Sequence, residues 1–294
     1  MRKLPLPTFD DASAIEALAS KRGLMSYPHI KPHVEAIKAG YTQYHAASGD
    51  ADAVMNVPIP EPQATFLRKH YKSPPKAIDE IKSMLSRHLA RPCSMCGSSH
   101  AYELDHVFPK DDYPAFAVYT RNLVPACDCN RKKGATLRGN AAGARILHPY
   151  YDNCLSERLY SAKINDPGPT IKADIEIVID HTHPNYAAVE FHLISVIKKT
   201  GVLNWMTDQW VLLLRHPQAI IGTFNFIPQT EQSIIDALST QLGLCDLAKG
   251  SPNNWESMFV MGLLDPIVTA WLFEKMSADG RFDPNSPLVA QAVA

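Results

Sequence analysis

At 294 residues the chain is long enough to bury a core as one large or two modest domains. A formal net charge of −1 and a pI near 6.9 exclude a protein that coats nucleic acid through bulk basicity, so any polyanion site must be local. The most apolar stretch, Met258 to Phe273, is shorter than the ~20 residues of a membrane span and is broken by Gly262 and Asp265-Pro266.

The start, Met1-Arg-Lys-Leu-Pro-Leu-Pro, has no apolar signal region, and the cysteines read as reduced, so a cytoplasmic protein is expected. The front third then reads as helical. Val34, Ile37, Tyr41 and Tyr44 recur at helical spacing, as do Ile78, Ile81, Leu85 and Leu89 after the start signal Ser73-Pro74-Pro75. Both sets read as core stripes. The proline-rich segment from Asn56 to Pro62 reads as an extended connector. A basic stretch (Arg68, Lys69, Lys72, Lys76, Lys82, Arg87, Arg91), opposed only by Asp79 and Glu80, leads into the next segment.

That segment carries the chemistry. Cys93-Ser-Met-Cys96 has ordinary zinc-knuckle spacing, and Gly97 lets the backbone turn after it. Cys127-Asp-Cys129 is one residue tighter. Two such pairs can close a tetrahedral Zn²⁺ site with Zn–S of about 2.3 Å. The competing reading is four ordinary buried cysteines, and clustering at ligand-like spacing favours zinc. Cys154 and Cys245 stand alone and read as buried thiols. Between the knuckles lies Asp105-His106. Phosphodiester hydrolysis needs a base beside a water and a cation that offsets charge on the phosphate. Neutral imidazole suits the first need, and Mg²⁺ takes oxygen ligands, which Asp105 and Asn130 offer. Neighbouring residues of a strand point to opposite faces, so Asp105 and His106 can share a site only where the strand ends, as Val107-Phe108-Pro109 suggests. Arg131, Lys132, Lys133, Arg138 and Arg145 follow Asn130 with no acid before Asp152. A charge run is usually a solvated face, but beside a base and metal ligands it favours a polyanion.

The run Cys93-Ser-Met-Cys96-Gly97, Glu103-Leu-Asp-His-Val-Phe-Pro-Lys110, Tyr113-Pro114, Asn122-Leu-Val-Pro-Ala-Cys127 and Cys129-Asn130-Arg-Lys-Lys-Gly134 resembles an HNH endonuclease with a ββα-metal core. The resemblance spans about residues 91 to 150. It implies His106 as general base, Asp105 and Asn130 as ligands of one Mg²⁺ or Mn²⁺, Asn122 as the brace of the loop beside the base, and Cys93, Cys96, Cys127 and Cys129 as ligands of a structural Zn²⁺. Asn130 stands where the family name has its last His. The substrate implied is DNA, held by Lys110, Arg131, Lys132, Lys133 and Arg138. One departure is visible: the interval from Asn122 to Asn130 is one residue short. Either the loop contracts at Asp128, or Cys127 is displaced and His100 completes the zinc site. Leu147-His-Pro-Tyr-Tyr-Asp152 and the preceding helices resemble the Septu type of antiviral defence protein, which implies an ATPase subunit as partner. The rival readings are a zinc-stabilised nucleic-acid-binding module and a nuclease silent without that partner. A second Asp-His pair, Asp180-His181, has none of the companions and reads as loop.

After Asp152, Ile171 to Ile179 alternates and reads as a strand, as do Val189, Phe191 and Leu193, with a polar turn over His181-Thr-His-Pro-Asn185 between them. Helices are expected near Asn204 to Arg215, Gln229 to Leu242 and Asn253 to Met276, with Trp205, Trp210, Trp255 and Trp271 in their core. The tail from Ser277 reads as frayed. The expected class is α+β: a helical region 1–90, the HNH core 91–152, and a mostly helical α+β region 153–294.

Overall fold

A computed structural model describes residues 1–88 and 91–289; Leu89 lies outside the described residues. The fold is α+β, with eleven α-helices and two two-stranded antiparallel sheets among those residues. The chain forms two compact units. Met1–Leu155 joins Pro184–Lys199 in the first, and Ser156–His183 joins the chain from Thr200 onward in the second. The helices before residue 90 and the cysteine-rich segment thus belong to one unit.

In the first unit, α1 (Asp11–Ser20) starts where the Asp10 carboxylate accepts from Ser13 N–H at 3.0 Å. The stripe Val34, Ile37, Tyr41 and Tyr44 lies buried on α2 (Val34–Ala46), as its spacing predicts. Its Tyr44 ring meets Phe108 and Phe116 edge-on at 5.1 and 5.0 Å, and Tyr41 stacks on Tyr119 at 4.2 Å. Gly40 lets α2 pack closely against Val57, since a Cβ there would stand 2.5 Å from Val57 Cγ2. Helices α3 (Gln63–Lys72) and α4 (Glu80–His88) follow. Ile78, Ile81 and Met84 are buried, and Leu85 is half-buried.

Strand β1 (Glu103–His106) pairs antiparallel with β2 (Leu123–Ala126), setting Asp105 opposite Val124 and His106 opposite Leu123. The short helix α5 (Cys129–Lys133) starts three residues after β2 and ends at Gly134, whose φ of +63° suits glycine.

The expected strand through Val189, Phe191 and Leu193 is instead helix α6 (Tyr186–His192), extended by a π turn over Leu193–Ile197. Ala188, Val189, His192, Leu193, Val196 and Ile197 are all buried while Glu190 and Ile194 face solvent. That four-residue recurrence overrides the short alternation. His192 pins the helix: its Nε2–H donates to Met95 O at 2.7 Å, and its Nδ1 accepts from Leu147 N–H at 3.0 Å.

In the second unit, β3 (Tyr160–Ile164) pairs with β4 (Ala173–Ile177), the strand expected from alternation. β3 itself escaped notice because four of its five residues are buried, which leaves no alternation to read. Helices α7 (Val202–Arg215), α8 (Pro217–Ile220) and α9 (Glu231–Lys249) follow. The single helix expected over 253–276 is two, α10 (Trp255–Leu263) and α11 (Pro266–Met276), bent by 76°. Asp265 causes the break by capping Ile267 N–H ahead of Pro266. Among the described residues no single helix is long and apolar enough to cross a membrane. Gly262 lets α10 close on β3, for a Cβ there would stand 2.4 Å from Ala162 O. Trp210 is fully buried and lies 5.3 Å from Trp271, as expected of core residues. Over residues 278–289 the tail is held rather than frayed, while 290–294 lie outside the described residues: Leu288 is buried with its N–H on Leu214 O at 2.7 Å, and Arg281 donates to three carbonyls, those of Pro284, Ser286 and Pro287.

Candidate functional site

The two knuckles converge. Cys93, Cys96, Cys127 and Cys129 are buried, and their sulfurs all lie within 4.8 Å of one another. Cys93 and Cys129 are 3.5 Å apart, and Cys96 and Cys127 3.4 Å. A tetrahedral Zn²⁺ with 2.3 Å bonds would hold sulfurs about 3.8 Å apart, so the set fits such an ion. Backbone N–H groups of Cys96 and Cys127 point at the Cys93 sulfur at 3.5 and 3.4 Å. Burial works against a Cys93 thiolate, but hydrogen bonds from the other three thiols and the Cys127 N–H hold this thiol well below its ordinary range. The tight second knuckle works by contraction at Asp128, which adopts helical φ/ψ and accepts from Lys132 N–H at 3.1 Å, so α5 begins at once. His100 is exposed and stands outside the set, so the histidine alternative has no support in the geometry.

At the end of β1 the chain bends, and Asp105 and His106 come to one cleft. The buried His106 ring has Nε2 at 2.9 Å from Ala117 O, and a carbonyl can only accept, so Nε2 carries the proton. In the neutral ring Nδ1 is then the basic nitrogen, 3.4 Å from Asp105 Oδ1. The Tyr71 ring meets His106 edge-on at 4.3 Å and limits its rotation. Burial opposes ionisation of Asp105, yet hydrogen bonds from the Asn130 amide and the His106 backbone N–H outweigh it and hold the carboxyl below its ordinary range.

Asn122, fully buried, braces the adjoining loop. Its Oδ1 accepts from Phe108 N–H at 2.8 Å, and its Nδ2 donates to Phe108 O and Phe116 O at 3.0 and 3.2 Å. Asn130 on α5 donates through Nδ2 to His106 O at 2.7 Å, while its buried Oδ1 has no hydrogen-bond partner. An unsatisfied buried carbonyl oxygen is costly unless something else occupies it. The cleft, about 490 Å³, is lined by Asp105, His106 and Asn130 with Tyr71, Glu103, Lys110 and Arg131.

The expected cationic cluster divides. Lys110 and Arg131 reach the cleft. Lys133 does not: it is 2% exposed, and its ammonium donates to the carbonyls of Val107, Gly134 and Thr136 at 3.2, 3.1 and 3.4 Å. Burial lowers its pKa to about 8. We therefore correct its reading as a phosphate contact. Lys133 bolts α5 to the end of β1. Lys132 pairs with Asp128 at 3.0 Å, and Arg138 with Asp52 at 3.4 Å. Arg145 is taken up by Asp152 and Asp50 at 2.7 and 3.1 Å.

Tyr71 and Glu103 line the cleft without having been assigned to it from sequence. Glu103 lies two residues before Asp105 on one strand, a same-face spacing that could have flagged it. Tyr71 comes from α3 and had no local signal. The chain matches no protein-family model, no curated protein and no solved structure.

Proposed function

We propose that this protein is a metal-dependent HNH endonuclease that hydrolyses nucleic-acid phosphodiester bonds. The observation that carries the reading is the unpartnered, buried Asn130 Oδ1 in the cleft that also holds Asp105 and the basic Nδ1 of His106. Asp105, already ionised, and Asn130 Oδ1 fit a hard divalent cation that keeps water and phosphate as its other ligands. Such an ion, Mg²⁺ or Mn²⁺, would offset charge on the scissile phosphate and the leaving oxygen.

His106 Nδ1 takes the proton of the attacking water, while Nε2–H stays on Ala117 O and fixes the ring for that transfer. Asn122 keeps the loop carrying the Ala117 carbonyl in register with β1. Arg131 and Lys110 face the same cleft and attract the polyanion. The four-cysteine site supports this arrangement from behind, because α5 carries Cys129 and Asn130 as neighbours.

The test is incubation of the purified chain with supercoiled plasmid, with and without Mg²⁺ or Mn²⁺. Metal-dependent nicking or linearisation is expected, and none from His106→Ala. A chain that cuts only after a second subunit is added would assign activation to that partner, and cutting that survives His106→Ala would overturn the reading.

A further inference from the structure

We propose that the strand reaching this cleft is single-stranded, with its phosphates on a basic face of α3 and an unpaired base in an apolar groove beside Tyr102. The proposal rests on the nuclease reading above and names the substrate form of that same site.

Thr65, Arg68, Lys69 and Lys72 fall at i, i+3, i+4 and i+7 of α3, which places them on one face, while Ala64, Leu67 and His70 bury the other. The basic face lines a cleft of about 330 Å³ together with Lys110 and Asp111. Lys110 and Asp111 also line the His106 cleft, so the two depressions adjoin. Arg68 is taken up by Glu61 and by Asp111 at 3.6 Å. Lys69, Lys72 and Lys110 have no ion-pair partner among the described residues; Lys110 only overhangs the Tyr71 ring at 5.7 Å. The helix dipole accounts for cations in the last turn of α3. It does not account for Lys110, which comes from another segment and faces the same cleft.

A second depression, about 380 Å³, shares Lys72 with the basic cleft and Tyr71 and Glu103 with the His106 cleft. Its walls are mainly apolar, from Pro74, Ile81, Leu85 and Leu104, with Lys82 and Glu103 as further charged lining beside Lys72. Tyr102 is 56% exposed, yet its hydroxyl accepts from Asp128 N–H at 3.0 Å, so the ring is a fixed plate. The Tyr71 hydroxyl donates to Leu104 O and is likewise held. Fixed aromatic rings beside unopposed lysines are how proteins hold unpaired bases and their backbone, because every base has a π-face. Glu103, the acid of the wall, can accept from an exocyclic amino group of the base. A duplex would use the lysines alone, since its bases are already stacked and paired.

Fluorescence anisotropy tests this on the full chain carrying His106→Ala, in Mg²⁺-free buffer, with a labelled 20-nucleotide DNA strand and a blunt duplex of the same sequence. The single strand should bind more tightly. Lys69→Ala/Lys72→Ala should flatten its salt slope by about 1.4, or ~0.7 per lost phosphate contact. Tyr102→Ala should weaken single-strand binding at least about five-fold with the duplex unmoved. Tyr102→Phe, which keeps the stacking face and drops the Asp128 contact that fixes it, should lose clearly less affinity than Tyr102→Ala, and zinc content should be unchanged throughout. Equal affinity for both forms, an unchanged slope, or a Tyr102→Ala loss shared by Tyr102→Phe overturns the proposal. Absence of binding to either form also overturns it, whereas plasmid cleavage by the unmodified chain would leave the nuclease reading standing. Binding as expected without cleavage would do the reverse.

Discussion

His148 Nε2 lies 2.8 Å from the Tyr44 hydroxyl, deep in the core of the first unit. His148 Nδ1 accepts from Tyr150 N–H, so Nε2 carries the proton and donates it to Tyr44, and Tyr44 donates in turn to Asn122 Oδ1 at 3.1 Å. A chain of hydrogen bonds thus joins the Leu147 to Asp152 segment to the loop beside His106. Tyr44→Phe keeps the ring packing and strands the buried imidazole N–H. A stability loss of about 1–3 kcal/mol is expected in denaturant unfolding, with reduced cleavage if Asn122 shifts.

The same histidine sets an acid limit. Burial lowers the His148 pKa to about 3, against an unfolded value near 6.5. Above pH 6.5 both states are neutral and the folded state keeps its full stability. As pH falls from 6.5 toward 3, the unfolded chain takes a proton that the folded one refuses, and stability is lost. By pH 5 the loss from this group is about 2 kcal/mol. Unfolding free energies measured between pH 7 and 5 should fall less steeply in His148→Gln; an unchanged slope would mean that the group is not neutral and buried in the fold.

Lys132 and Lys133 are neighbours with opposite fates. Lys133→Met should cost on the order of 1–3 kcal/mol, because three carbonyls lose their donor, and should lower cleavage by loosening α5. Lys132→Ala removes an exposed pair with Asp128 and should stay within about 0.5 kcal/mol of the parent. Thermal unfolding of the two variants decides it.

Sequence brought these residues together because their chemistry is local: two knuckles, Asp105-His106 and Asn130 sit within 38 residues, Cys93 to Asn130 inclusive. What it could not supply was direction. Nothing in Arg131-Lys-Lys133 says which cation turns inward; that depends on the carbonyls left at the end of β1. The Ala117 carbonyl that sets the His106 tautomer is a backbone group, and Tyr71 arrives from a separate helix. In the second unit β3, with four of its five residues buried, had no period to read, and in the first unit Val189, Phe191 and Leu193 fitted a strand only while Ala188, His192, Val196 and Ile197 were ignored.

Asp105→Ala and Asn130→Ala each remove one oxygen from the proposed cation. Cleavage should fall with partial recovery at high Mn²⁺, and zinc content should not move, since the four sulfurs form a separate site. Loss of zinc from either variant would merge two sites that the geometry keeps apart.

The cysteine cluster gives the sharpest test. All four sulfurs lie within bonding reach of one ion, so the purified chain should hold one Zn²⁺ and release it only on unfolding or strong chelation. Ligand thiolates contribute on the order of 10 kcal/mol to small zinc modules, so a true ligand is not lost quietly. Cys93→Ser and Cys127→Ser should both lose metal and melt the region around β2 and α5, and cleavage should go with it. Cys154→Ser, Cys245→Ser and His100→Ala should keep stoichiometric zinc, because none of these side chains belongs to the set. Cys127 is the informative position: its knuckle is a residue short, and the contraction at Asp128 is what brings its sulfur to 3.4 Å from Cys96. Should Cys127→Ser keep its zinc while His100→Ala loses it, the loop must open in the metal-bound protein, and α5 would start later than Cys129.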